Sequence, residues 1–143
     1  MEYSEVVKAV KSVKKGAFCK IHYKTSQNVK GIIIEKETHA TVRFGCEYAN
    51  LQVNKNKQTG SLGYGEWSDN EYTYIIERDA KIGSKTVKVH YLRCYPFEGS
   101  KIVCKYFKDG KEITEEQAIE IGYKVKPHPV VFNITTDKII SIG

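Results

Sequence analysis

Gly16-Ala17-Phe18-Cys19-Lys20-Ile21-His22-Tyr23-Lys24 opens a stretch, residues 16–51, that alternates with a period of two. In an extended chain this puts Cys19, Ile21 and Tyr23 on one face and Lys20, His22 and Lys24 on the other. Ser26-Gln27-Asn28 supplies a turn, residues 30–36 (Lys-Gly-Ile-Ile-Ile-Glu-Lys) a strongly apolar strand, and Glu37-Thr38 a tight connection into residues 39–46. In that last run Val42, Phe44 and Cys46 oppose Thr41 and Arg43. In an antiparallel sheet whose polar faces coincide, Lys20, His22, Lys24 and Arg43 form one basic surface.

Upstream, residues 4–15 place Val6, Val10 and Val13 on one helical face with lysines opposite, Ser4 as a cap and Gly16 as a stop, so a short amphipathic helix lies on the sheet. Its lysine face reads as solvated more readily than as a docking face. Downstream, residues 54–71 have no sustained period and read as a long internal loop, in which Tyr64 and Trp67 offer aromatic faces for stacking a base, or Trp67 plugs the core edge. The runs 72–77, 85–95 and 101–107 follow as strands of one meander, the last two joined by a hairpin through Pro96-Phe97-Glu98-Gly99-Ser100, and Asp109-Gly110 is a two-residue turn signal. Thr114-Glu115-Glu116-Gln117 is a capping box opening a short helix near residues 115–121, and residues 129–134 and 138–142 are final strands that close the sheet. The expected fold is α+β: a predominantly antiparallel β-sheet or partly open barrel with two short helices. The 143 residues, 41% hydrophobic, suit a single domain spanning 1–143.

The net charge of +6 is uneven. Residues 1–60 hold 11 Lys/Arg against 5 Asp/Glu, whereas residues 61–143 hold 12 of each, so anionic partners are expected at the N-terminal part. Only three of the 23 basic residues are arginine, which fits lysines serving solubility almost as well. No apolar run approaches the roughly 18 residues of a membrane span and the first residues lack a secretory pattern, so a cytoplasmic location without membrane contact is expected. Cys19, Cys46, Cys94 and Cys104 match no zinc spacing and read as free buried thiols, although Cys94 and Cys104 flank the turn near Glu98-Gly99 and can face each other across a hairpin.

Catalytic signatures are missing. The histidines His22, His39, His90 and His128 are scattered without helical pairing, and Gly60 to Gly65 lacks the Lys-Ser/Thr of a phosphate loop. The expectation is no enzyme, no metal and no cofactor. Lys20-Ile21-His22-Tyr23 does return 68 residues later as Lys88-Val89-His90-Tyr91, which suggests two similar β modules, 17–51 and 85–113, by duplication or by chance.

The run Thr41-Val42-Arg43-Phe44-Gly45-Cys46-Glu47-Tyr48-Ala49-Asn50-Leu51, with residues 12–18 before it and Lys105-Tyr106-Phe107-Lys108-Asp109-Gly110-Lys111-Glu112 far downstream, resembles small proteins encoded by bacteriophages and mobile elements of Gram-positive bacteria. That resemblance implies a bacterial host cytoplasm and transfers no catalytic residue. The leading expectation is a non-enzymatic accessory protein that binds an anionic ligand, foremost nucleic acid, through the basic sheet face: Lys20, Lys24 and Arg43 on phosphates, His22, Lys88 and His90 extending the surface, and Tyr64 and Trp67 stacking. The alternatives are an anti-defence protein that binds and inhibits a host protein through a strand edge or the aromatic loop, and a protein that sequesters a signalling nucleotide in a pocket at a homo-oligomer interface.

Overall fold

A computed structural model describes residues 1–14, 16–44, 54–55, 73–127 and 131–143. The fold is α+β and mostly antiparallel, with helix α1 (Tyr3–Ser12), strands β1 (Phe18–Val29), β2 (Ile32–Arg43), β3 (Asn54–Lys55), β4 (Tyr74–Ile82), β5 (Lys85–Cys94), β6 (Lys101–Lys108) and β7 (Lys111–Ile113), helix α2 (Glu115–Ile121), and strands β8 (Phe132–Thr135) and β9 (Ile139–Ile142). They form two sheets, ordered β7-β6-β2-β1-β9 and β3-β4-β5-β8.

Strands β1 and β2 make one hairpin of twelve residues a side. The expected turn at Ser26-Gln27-Asn28 and the break at Glu37-Thr38 are both corrected: the chain stays extended through both and reverses at Lys30-Gly31, where φ is 53° and 82°. Two consecutive left-handed residues make the two-residue turn that matches strand twist, and Asn28 Oδ1 accepts the Gly31 N–H at 3.1 Å. Asp109-Gly110 turns in the same way, as its sequence led one to expect.

The strands after residue 72 do not form one meander. β4 and β5 pair with each other, but β6 pairs with β2 in the other sheet. The segment expected to be a hairpin is a crossover: Phe97 N–H donates to the Thr41 carbonyl at 2.8 Å and Ser100 Oγ accepts the Thr41 N–H at 3.0 Å, so the backbone of β2 captures it. The final two strands likewise divide, β8 joining β5 and β9 joining β1. Of the long loop 54–71, Asn54–Lys55 instead form a short parallel strand on Ile76 and Glu77, and the rest lies outside the described residues.

The sheets meet where β2 ends. Phe44 bridges Thr73 in parallel, and Thr73 N–H donates to the Arg43 carbonyl at 2.8 Å. Between them lies the main core: Val6 and Val10 of α1, Ile21 and Tyr23 of β1, Ala40, Val42 and Phe44 of the β2 run, Ile75 and Ile76 of β4, Leu92 and Cys94 of β5, Ile134 and Ile139. Helix α1 starts one residue before the expected Ser4 cap, with Glu2 at the cap position making no side-chain cap bond, so packing of Val6 and Val10 holds the helix in place. A second core forms where Ile32, Ile34 and Tyr106 meet Ala118 of α2, a helix with the expected Thr114–Gln117 capping box. Cys94 sits in the first core and Cys104 against the second, so the cross-hairpin pairing envisaged for them does not occur; both are free thiols, as is Cys19.

Candidate nucleic-acid interface

Because β1 and β2 alternate strictly, the side chains opposite the core make a second surface. Across the five-stranded sheet it carries Phe18, Lys20, His22 and Lys24 from β1, then Arg43, Thr41, His39, Glu37 and Glu35 from β2. Lys101, Val103, Lys105 and Phe107 follow from β6, with Glu112 from β7 beside Phe107. Phe18 is 59% exposed and Val103 51%, values for side chains that no described element covers.

The expected residues Lys20, His22, Lys24 and Arg43 therefore do share one face. Their surroundings differ from the expectation in charge. Lys24 Nζ lies 3.4 Å from Glu35, and His22 Nε2 lies 2.7 Å from Glu37 Oε1, so two of the four already have a carboxylate partner across the hairpin. The hydrogen bond from His22 holds the Glu37 carboxyl below its usual range, and burial opposes the shift only in part. Lys20, Lys101 and Lys105 are exposed and make no ion pair among the described residues.

Arg43 is half-buried, not an outward phosphate hook. Its guanidinium lies 5.6 Å from the Phe18 ring centre and 5.2 Å from that of Phe97, and the two rings meet edge to face at 5.2 Å. A planar cation over aromatic faces gives a rigid platform. The crossover that delivers Phe97 to this corner is the same one that breaks the expected meander, which is why Phe97 had no visible role in the sequence. Phe18 was legible as a strand residue on the polar side but not as a partner of Arg43, since that contact needs the register Phe18↔Arg43.

Lys88 and His90 do not extend this surface. They belong to the second sheet, on the side where Leu92 and Cys94 are buried, and both face Glu77: Lys88 Nζ at 3.1 Å and His90 Nε2 at 3.5 Å. His90 also stacks on Tyr3 of α1 with ring centres 3.7 Å apart. Tyr64, Trp67 and His128 lie outside the described residues. The Lys-x-His-Tyr echo thus presents His22 away from the core and His90 on the core side, and β5 and β6 sit in different sheets whereas β1 and β2 are neighbours.

Two groupings escaped sequence reading. His22 and His39 are not scattered but directly opposite each other, with rings stacked at 4.1 Å and Glu37 beside both. On the inner side of the sheet, a cleft of about 400 Å³ between the β1–β2 hairpin and the chain after α2 is lined by Lys30, Lys36, Lys124 and Lys126 with Tyr123, and by no carboxylate among the described residues. Its lysines come from segments about ninety residues apart, which only the docking of α2 on Ile32 and Ile34 brings together.

No protein-family model, curated protein or solved structure matches the chain. Among the described residues, no helix is long and apolar enough to cross a membrane.

Proposed function

We propose that this protein binds single-stranded nucleic acid, without chemistry of its own, on the outer face of the five-stranded sheet. The observation that carries the reading is the Phe18–Arg43–Phe97 platform, with an exposed ring at its edge and Lys20 and Lys101 on the same face. A sheet face with an exposed aromatic receives an unstacked base, at about 1–3 kcal/mol per base, while lysines around it meet the phosphates. The setting proposed with it is the cytoplasm of a bacterial host, as an accessory protein of a phage or mobile element.

Lys20, Lys101 and Lys105 supply the phosphate contacts in this reading, and Lys24 contributes less because Glu35 already pairs with it. Three contacts to a single strand give a slope of about −2 for log affinity against log salt. Fluorescence anisotropy with labelled single-stranded DNA and RNA is the test. Binding at low salt with that slope, reduced by roughly 5- to 150-fold in Phe18→Ala, is expected. Absence of binding at low salt, or a Phe18→Ala variant that binds like the parent, sinks the reading.

A second reading has its own observation. The lysine-lined cleft beside Tyr123 suits a compact polyphosphate such as a signalling nucleotide. It expects a thermal shift with a nucleotide that Lys124→Ala and Lys126→Ala abolish and Phe18→Ala leaves intact. A flat response to cyclic and linear nucleotides removes it.

A further inference from the structure

The long hairpin has a consequence at its centre. Its register sets His22 opposite His39, and the two imidazoles stack with an interplanar angle of 12°. Glu37 stands two residues before His39 on the same strand and the same face. Its Oε1 lies 2.7 Å from His22 Nε2 and 3.7 Å from His39 Nε2, and ligating atoms of all three side chains fall within 4.8 Å of one another.

We propose that His22, Glu37 and His39 form a binding site for one divalent transition-metal ion of the zinc class, with its remaining coordination positions open to water. Ligands about 2.0–2.2 Å from a tetrahedral ion stand about 3.4 Å apart. The 3.7 Å separation is already close to that, and the 2.7 Å pair opens to it by a small rotation of the half-exposed Glu37 side chain. The two stacked imidazoles turn about their side-chain torsions so that their Nε2 lone pairs converge on the ion, while the strand backbones stay fixed. Two imidazoles and one carboxylate are borderline donors that suit Zn²⁺, Co²⁺ or Ni²⁺ and disfavour Mg²⁺ and Ca²⁺, which prefer all-oxygen shells. No thiol takes part: Cys19 points into the core from the opposite side of β1. Lys101, directly opposite His39 on β6, and Lys24 beside Glu37 place positive charge nearby and keep the affinity moderate. The site lies on the same sheet face as the proposed nucleic-acid surface but uses no residue of the Phe18 platform, so Zn²⁺ binding and oligonucleotide binding are tested separately.

The experiment uses the full chain, stripped with chelator and dialysed. Zn²⁺ is titrated by calorimetry and Co²⁺ by visible absorption, with Mg²⁺ as a control. One ion per chain, a Co²⁺ spectrum of nitrogen and oxygen donors, and no heat with Mg²⁺ are expected. His22→Ala, His39→Ala and Glu37→Gln each weaken binding by roughly tenfold or more while circular dichroism stays unchanged. The proposal is overturned by absence of Zn²⁺ binding in the parent protein, by a thiolate-to-cobalt charge-transfer band, or by undiminished binding in the folded His22→Ala/His39→Ala double variant. Should the alanine variants not fold, His22→Gln and His39→Gln are used, with the same outcomes.

Discussion

Single residues carry sharply different environments that chemistry can read. Burial pushes the Cys94 thiol well above its ordinary range, with Cys19 adding to the effect, so Cys94 is expected to resist alkylation in the native protein and to react only in denaturant. Mass spectrometry after brief iodoacetamide treatment checks this; native labelling at Cys94 contradicts it. Tyr106 is pushed up to about 12, first by burial and then by the Glu115 carboxylate and neighbouring Cys104 and Tyr123. A raised folded value means that the unfolded chain loses the phenol proton first, near pH 10, while the folded state still holds it. The stabilisation is complete below pH 10 and fades as pH rises towards 12. Denaturant midpoints measured at pH 8, 10 and 11.5 are expected to fall only at the alkaline end, and less steeply in Tyr106→Phe. The alternation that puts Lys20, His22, Lys24 and Arg43 on one face was legible from residue types alone. Their charge balance was not, because Glu35 and Glu37 face them only once the register is known.

Among the elements, the β1–β2 hairpin governs everything on the outer face. Its turn was the least legible feature: Ser26-Gln27-Asn28 has the composition of a turn, yet Lys30-Gly31 supplies two consecutive positive φ values. A turn centred on Gln27 sets His22 opposite Ile32; the observed one sets it opposite His39. Moving the turn from Gln27 to Lys30-Gly31 shifts the partner of His22 by seven residues, from Ile32 to His39, and so separates a histidine pair from an ordinary strand contact. Gly31→Val, at φ 82°, is expected to cost about 1–3 kcal/mol in urea unfolding, since a β-branched residue is strained there. A neutral result removes the turn from its governing role. Helix α2 was read almost to the residue because its start signal is local: the Thr114 side chain accepts from Gln117 N–H, and Gln117 returns the bond to Thr114 N–H. Thr114→Ala is expected to cost about 1 kcal/mol and to loosen the lysine cleft with it.

For the molecule as a whole, the fold class was legible and the division into two sheets was not. Periodicity marks a strand but not its neighbours, and the assignment of β6 to β2 depends on the capture of Phe97 and Ser100 by Thr41, a contact between segments about sixty residues apart. Phe44 stands at the seam between the sheets, wholly buried, so Phe44→Ala is expected to cost about 3–5 kcal/mol and to loosen both sheets together. With both apolar faces turned on shared cores, the outer side of the five-stranded sheet is left with the Phe18 platform, the histidine pair and Lys20, Lys101 and Lys105, which make no ion pair among the described residues, and we place the proposed function there. Amide chemical-shift mapping of the ¹⁵N-labelled full chain, titrated with a short single-stranded oligonucleotide at low salt, tests that placement most directly. The account predicts shifts concentrated at residues 18–24, 37–43 and 101–105; shifts gathered at Lys30, Lys36 and residues 123–126, or at Lys88 and His90, contradict it.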